Sequence, residues 1–184
     1  MNQPAHVVGL DLSLTATGIA HTYPGGSIVE TITSTGLRGD TTFDRACRLG
    51  YLTNKILDNL GDARLIVIEG PAYSRANPGM HDRSGLWWLV VDAIYNRGYE
   101  LAVVTPTSRA KYATGKGNAG KDQVLLAVAR RYPDVEVTNN NEADALVLAA
   151  MGARRLGHPI DDLPKTHLAA LDAAEWPDLE GIAA

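Results

Sequence analysis

Three acids stand out by where they fall in the sequence. Asp11 interrupts the apolar run His6 to Leu12 ("HVVGLDL"), and Glu69 closes the run Arg64 to Gly70 ("RLIVIEG"). A carboxylate on a buried strand is costly unless it meets a cation or a hydrogen-bond partner. Two acids in matching positions on neighbouring strands would point into one crevice beyond the strand ends. The third, Asp144, lies in "NNNEADALVL", where a polar loop turns into an apolar helix. Its position has two readings. In one, Asn141 caps the helix and Asp144 is the third helical residue, favoured there by the helix dipole. In the other, the first turn packs on the sheet and carries Asp144 towards Asp11 and Glu69. Three carboxylates in one crevice repel unless divalent cations sit between them. Oxygen-only ligands with few histidines favour Mg2+ or Mn2+ over zinc. Two such ions about 3.5–4 Å apart suit phosphodiester hydrolysis.

These acids must be positioned by the surrounding elements. "TGIAHTY" and "SIVETITST" read as strands on either side of the turn Pro24 to Gly26, which with the first run makes a three-stranded antiparallel meander. Apolar residues at Phe43, Ala46, Leu49, Leu52, Ile56 and Leu60 recur at three and four, predicting a helix from Thr41 or Thr42 to Leu60 with Cys47 in its core face. After the strand carrying Glu69 come a helix over Ser84 to Arg97, the strand "ELAVVTP" and a helix beginning after Pro106. Further helices follow over Asp122 to Arg131 and from about Glu142 to Leu156. The expected fold is α/β: a mixed five-stranded sheet, the meander plus parallel strands, flanked by helices. Residues 1–157 form that domain, and 158–184 form a tail with a short helix around Thr166 to Trp176.

The 184 residues are enough for one core and one domain. No apolar run reaches the ~18 residues of a membrane span. A single cysteine and an N-terminus without a secretion signal point to the cytoplasm. The net charge of −4 argues against coating nucleic acid by bulk attraction. Charge is uneven, however: Arg109, Lys111, Lys116, Lys121, Arg130 and Arg131 make one segment basic. Within it, Gly115 to Lys121 ("GKGNAGK") mimics a nucleotide-binding P-loop. Asp122 stands where Ser or Thr should hold magnesium and no buried strand precedes it, so no nucleotide cofactor is expected.

"GLDLSLTATGIA", "IVIEGPAY", "VTPTSRAKYATGKGNAGKDQV" and "NEADALVLAA" together resemble, in order and spacing, the four motif regions of the RuvC family of Holliday junction resolvases, in a divergent bacteriophage-type form. The resemblance covers residues 6 to 155. It implies an RNase H-like fold and a homodimer. It also implies a Mg2+-dependent endonuclease that makes paired nicks in four-way branched DNA, leaving 5′-phosphate and 3′-hydroxyl ends. Asp11, Glu69 and Asp144 match the family's acids. The usual further acid falls at Asn141, leaving either Glu142 or a neutral Asn141 as the fourth metal ligand. Lys121 matches a basic residue near the scissile phosphate. Lys116, Lys111 and Arg109 would add DNA contacts, and Tyr73 would stack on an opened base. The helix bearing Trp87 and Trp88 is apolar on more than one face, which suits a dimer interface. Two other readings stand beside this one: a module of the same fold that binds branched nucleic acid without cutting it, and an actin-like or sugar-kinase-type ATP-binding domain suggested by "DLSLTATG".

Overall fold

The computed structural model describes residues 6–71 and 79–178. Strands β1 (Val7–Asp11), β2 (Ala16–Tyr23) and β3 (Gly26–Thr33) form an antiparallel meander. Helix α1 (Thr42–Asp58) leads to β4 (Leu65–Glu69), and α2 (Met80–Asn96) leads to β5 (Leu101–Val104). Helices α3 (Pro106–Thr114), α4 (Lys121–Arg131), α5 (Asn140–Arg155) and α6 (Lys165–Leu168) follow. The sheet order is β3-β2-β1-β4-β5, antiparallel through the meander and parallel from β1 to β4 to β5. The expected mixed five-stranded sheet is therefore present.

Alternation along the strands builds a core on each face. Val7, Leu65, Val67, Ala102 and Val104 pack with α3, α4 and α5, while Val8, Leu10, Ile66, Ile68 and Leu101 pack with α1 and α2. Helix α5 is buried continuously from Glu142 to Ala153. Small residues let it lie flat on the sheet: a Cβ at Gly9 would stand 2.1 Å from the Ala145 carbonyl oxygen.

Several boundaries differ from the sequence-based expectation. Helix α2 begins at Met80, four residues before Ser84. Its first turn carries exposed His81, Arg83 and Ser84, so no apolar period announces it, and Asp82 instead pairs with Arg45 of α1. Cys47 is exposed and does not belong to the core. Residues 158–178 pack onto the same body. The buried Asp161 side chain pairs with Arg154 and accepts hydrogen bonds from Tyr112 (3.0 Å) and Tyr132 (2.5 Å). Glu175 exchanges two backbone hydrogen bonds with Val103 at the outer edge of β5, and the expected short helix is divided between α6 and a 3₁₀ turn at Leu171–Ala173.

Candidate metal centre

Asp11 and Glu69 end adjacent parallel strands, so both lie at the same edge of the sheet. Asp144 reaches that edge from the second turn of α5, whose first turn lies over β2 beside Asp11. The three acids thus converge from three elements, and their mutual repulsion is felt at Asp11. Burial first, then the charges of Glu69 and Asp144, push its carboxyl up to about 8 against the opposing pull of Arg109 and Lys121. Burial raises Asp144 to about 6 even though Arg109 pulls it down. The backbone carbonyl of Glu69 accepts a hydrogen bond from the Trp87 indole at 3.0 Å, which fixes the end of β4 against α2. A cavity of about 190 Å³ opens beside Asp11 and Glu69, walled by Leu12, Met80, Ser84 and Trp87.

The cap of α5 is Asn139, whose side chain accepts from the Glu142 backbone amide at 3.0 Å. Of three successive asparagines the first takes the cap, so Asn141 is not the cap and Asp144 is not a capping residue. Asp144 is 2% exposed, which a capping role at the helix start does not require. Glu142 is the third helical residue. One of its oxygens accepts from Thr31 (2.7 Å), and the other accepts from the Thr138 amide (2.7 Å) and hydroxyl (2.8 Å). Burial works against this carboxylate, but these hydrogen bonds outweigh it and hold its pKa below the ordinary value. Both oxygens accept hydrogen bonds from threonines on β3 and before α5, so Glu142 anchors the start of α5 to β3. Asn141, three residues before Asp144, shares its helix face.

Arg109, a DNA contact in the sequence-based expectation, is 7% exposed and lies between two of the acids. Its Nε donates to Glu69 Oε2 and one terminal nitrogen donates to Asp144 Oδ1. Burial pulls its pKa down, but Glu69 and Asp144 more than compensate and hold it above the ordinary arginine value. A signal for this was present in the sequence: Arg109 shares a helical stripe with Ala110, Tyr112 and Ala113, all buried. An arginine on an apolar stripe needs an internal partner.

Among the lysines, Lys121 opens α4, is exposed, and is near enough to Asp11 and Asp144 to lower both carboxyls. Lys116 is exposed in the loop between α3 and α4, in a groove shared with Arg130 and Arg131. Lys111 is half-buried and about 200° around α3 from Arg109, away from the acids. Tyr73 lies outside the described residues. Gly115 to Lys121 joins two helices, so the strand–loop–helix context of a nucleotide-binding loop is missing there.

The donor chemistry suits a hard cation: three carboxylates lie near enough to feel one another's charge, and that of Asp11 accepts no hydrogen bond from any described residue. Among the described residues, however, no three His, Cys, Asp or Glu side chains are grouped closely enough to hold an ion as they stand. Arg109 lies between Glu69 and Asp144.

No family model matches the chain, and no curated protein matches it in sequence. Solved structures do. RuvC of Thermus thermophilus aligns with a TM-score of 0.63 at 19% identity, over 83% of this chain and 97% of that one. The same organism's RuvC in complex with a Holliday junction substrate aligns with a TM-score of 0.64 at 17% identity, over 83% and 96%. The chain therefore has the RNase H-like fold of RuvC, as its motifs led one to expect.

Proposed function

We propose that this chain is a divalent-metal-dependent endonuclease that resolves four-way DNA junctions by paired, symmetric nicks. The observation that carries the reading is the convergence of Asp11, Glu69 and Asp144 from β1, β4 and α5 at one sheet edge, with Lys121 beside them. The likeness of fold to a RuvC bound to a Holliday junction supports the choice of substrate.

Asp11, Glu69 and Asp144 would hold Mg2+, for which Mn2+ can substitute, with Asn141 as a neutral further ligand. Bound there, such an ion makes the attacking water more acidic and stabilises charge on the departing 3′ oxygen, so the ends would be a 5′-phosphate and a 3′-hydroxyl. Lys121 neutralises the phosphate to be cut. Lys116 and Lys111 meet phosphates of the flanking strands, which gives affinity without reading sequence.

Two nicks of opposite strands call for two sites, and α2 offers the surface for a second copy. Trp88 is 65% exposed, and Leu89 and Tyr95 are exposed with it. A two-fold dimer across this face would match the near two-fold symmetry of the junction. No helix among the described residues is long and apolar enough to cross a membrane.

One observation favours a second reading. Arg109 already pairs with both Glu69 and Asp144 and offsets one of their two charges, and Asn141 lacks a charge, which is what a binding module that never recruits metal would need. Incubating labelled four-way junction, duplex and flap DNA with the protein in Mg2+ or in EDTA separates the two. Mg2+-dependent junction nicks support the nuclease; junction binding without nicks in Mg2+ supports the module.

A further inference from the structure

The position of Arg109 bears on how many ions the acidic cluster can take. A guanidinium does not lose its proton at any pH at which proteins are studied, so this buried group is a permanent positive charge. Taking it out of water costs several kcal/mol, which only close anionic partners recover. Its partners are two of the three carboxylates argued above to be ligands.

Charge and geometry lead to the same count. With all three carboxylates ionised, as ligands of a bound metal would be, Asp11, Glu69, Asp144 and the Arg109 guanidinium leave the cluster at a net −2, which one divalent ion neutralises. A second ion would leave it at +2 in a largely buried place and next to a guanidinium. No other described acid joins the cluster to offset that excess: Glu142 is committed to Thr31 and Thr138, and Asn141 is neutral. Lys121 is exposed and its charge is screened by solvent. Arg109 engages one oxygen of Glu69 and one of Asp144. The other oxygen of each, and both oxygens of Asp11, accept no hydrogen bond from a described residue.

We infer that the site takes a single divalent cation per chain, with Arg109 as a built-in second cation in place of the second ion expected from the three carboxylates. The inference rests on the metal-dependent reading above. Arg109 is then a positioning residue: it sets the charge of Glu69 and Asp144 and thereby the number of ions they can share.

Counting bound Mn2+ on the full chain, from the loss of its free-ion electron paramagnetic resonance signal and from calorimetric titration, provides the test. One Mn2+ per chain is expected for the wild type and two for Arg109→Gln. Arg109→Lys, which keeps the charge if the glutamine variant does not fold, is expected to stay at one. Two ions on the wild type, or one on a folded Arg109→Gln, would overturn the inference while leaving a metal-dependent nuclease in place. No ion bound by the wild type would overturn both.

Discussion

The backbone of Asn141 rests on Gly18: a Cβ added to that glycine would stand 2.1 Å from the Asn141 carbonyl oxygen. Gly18 is also the residue paired with Asp11 across β1 and β2. The absence of one side chain therefore lets the first turn of α5 approach the sheet beside the first acid. Because the obstacle is backbone, a flexible side chain cannot swing aside to make room. Gly18→Ala should destabilise the protein by about 3 kcal/mol, at the upper end of overpacking costs. Urea denaturation measures this, and a midpoint equal to that of the wild type would show that α5 is not seated as described.

In the metal-free protein, stability should fall as pH rises. Asp11 and Asp144 have folded-state pKa values of about 8 and about 6, against 3.8 as the reference value. Between these limits the folded chain retains protons that the unfolded chain has released, so the contribution of these groups is full below pH ~4 and is lost through about 6 and then about 8. In EDTA, Tm should decline from pH ~5 to ~9. Asp11→Asn, which mimics the protonated acid, should flatten that decline and raise Tm at the alkaline end. A lower Tm for Asp11→Asn at pH ~9 would refute this account of the site.

Lys121 and Arg109 are both cations of the basic segment, yet only Lys121 is exposed. Lys121→Ala should weaken binding to junctions of any sequence alike and reduce the salt dependence of affinity by about one phosphate contact. Fluorescence anisotropy at several salt concentrations reads both effects. An unchanged salt slope would remove Lys121 from the DNA interface.

The two indoles of α2 differ in role. Trp87 donates to Glu69 and contacts Trp88 edge-on at 4.7 Å between ring centres, whereas Trp88 is turned outward. Sedimentation at micromolar concentration should show a dimer for the wild type and a monomer for Trp88→Ser, with little change in monomer stability. A monomeric wild type would contradict the proposed pairing through α2.

The strands carrying Asp11 and Glu69 could be read from the sequence because each is a short apolar run that ends in an acid. Other features were hidden for identifiable reasons. Asn139, Asn140 and Asn141 can each cap a helix, and only the hydrogen bond from Glu142 to Asn139 selects among them. The inward aim of Arg109 depends on Glu69 and Asp144, which are 40 and 35 residues away in sequence. The anchoring of the C-terminal segment likewise depends on Asp161 meeting Tyr112 and Tyr132. Local periodicity places residues on faces but does not pair them across such separations.

Cleavage of a labelled four-way junction by the wild type and by Asp11→Asn, each with Mg2+ and with EDTA, tests the central claim most directly. Symmetric nicks by the wild type in Mg2+ alone, with a loss of at least about 100-fold in Asp11→Asn while the junction is still bound, are the predicted result. Equal nicking by Asp11→Asn, or binding without any Mg2+-dependent nick by the wild type, would contradict it.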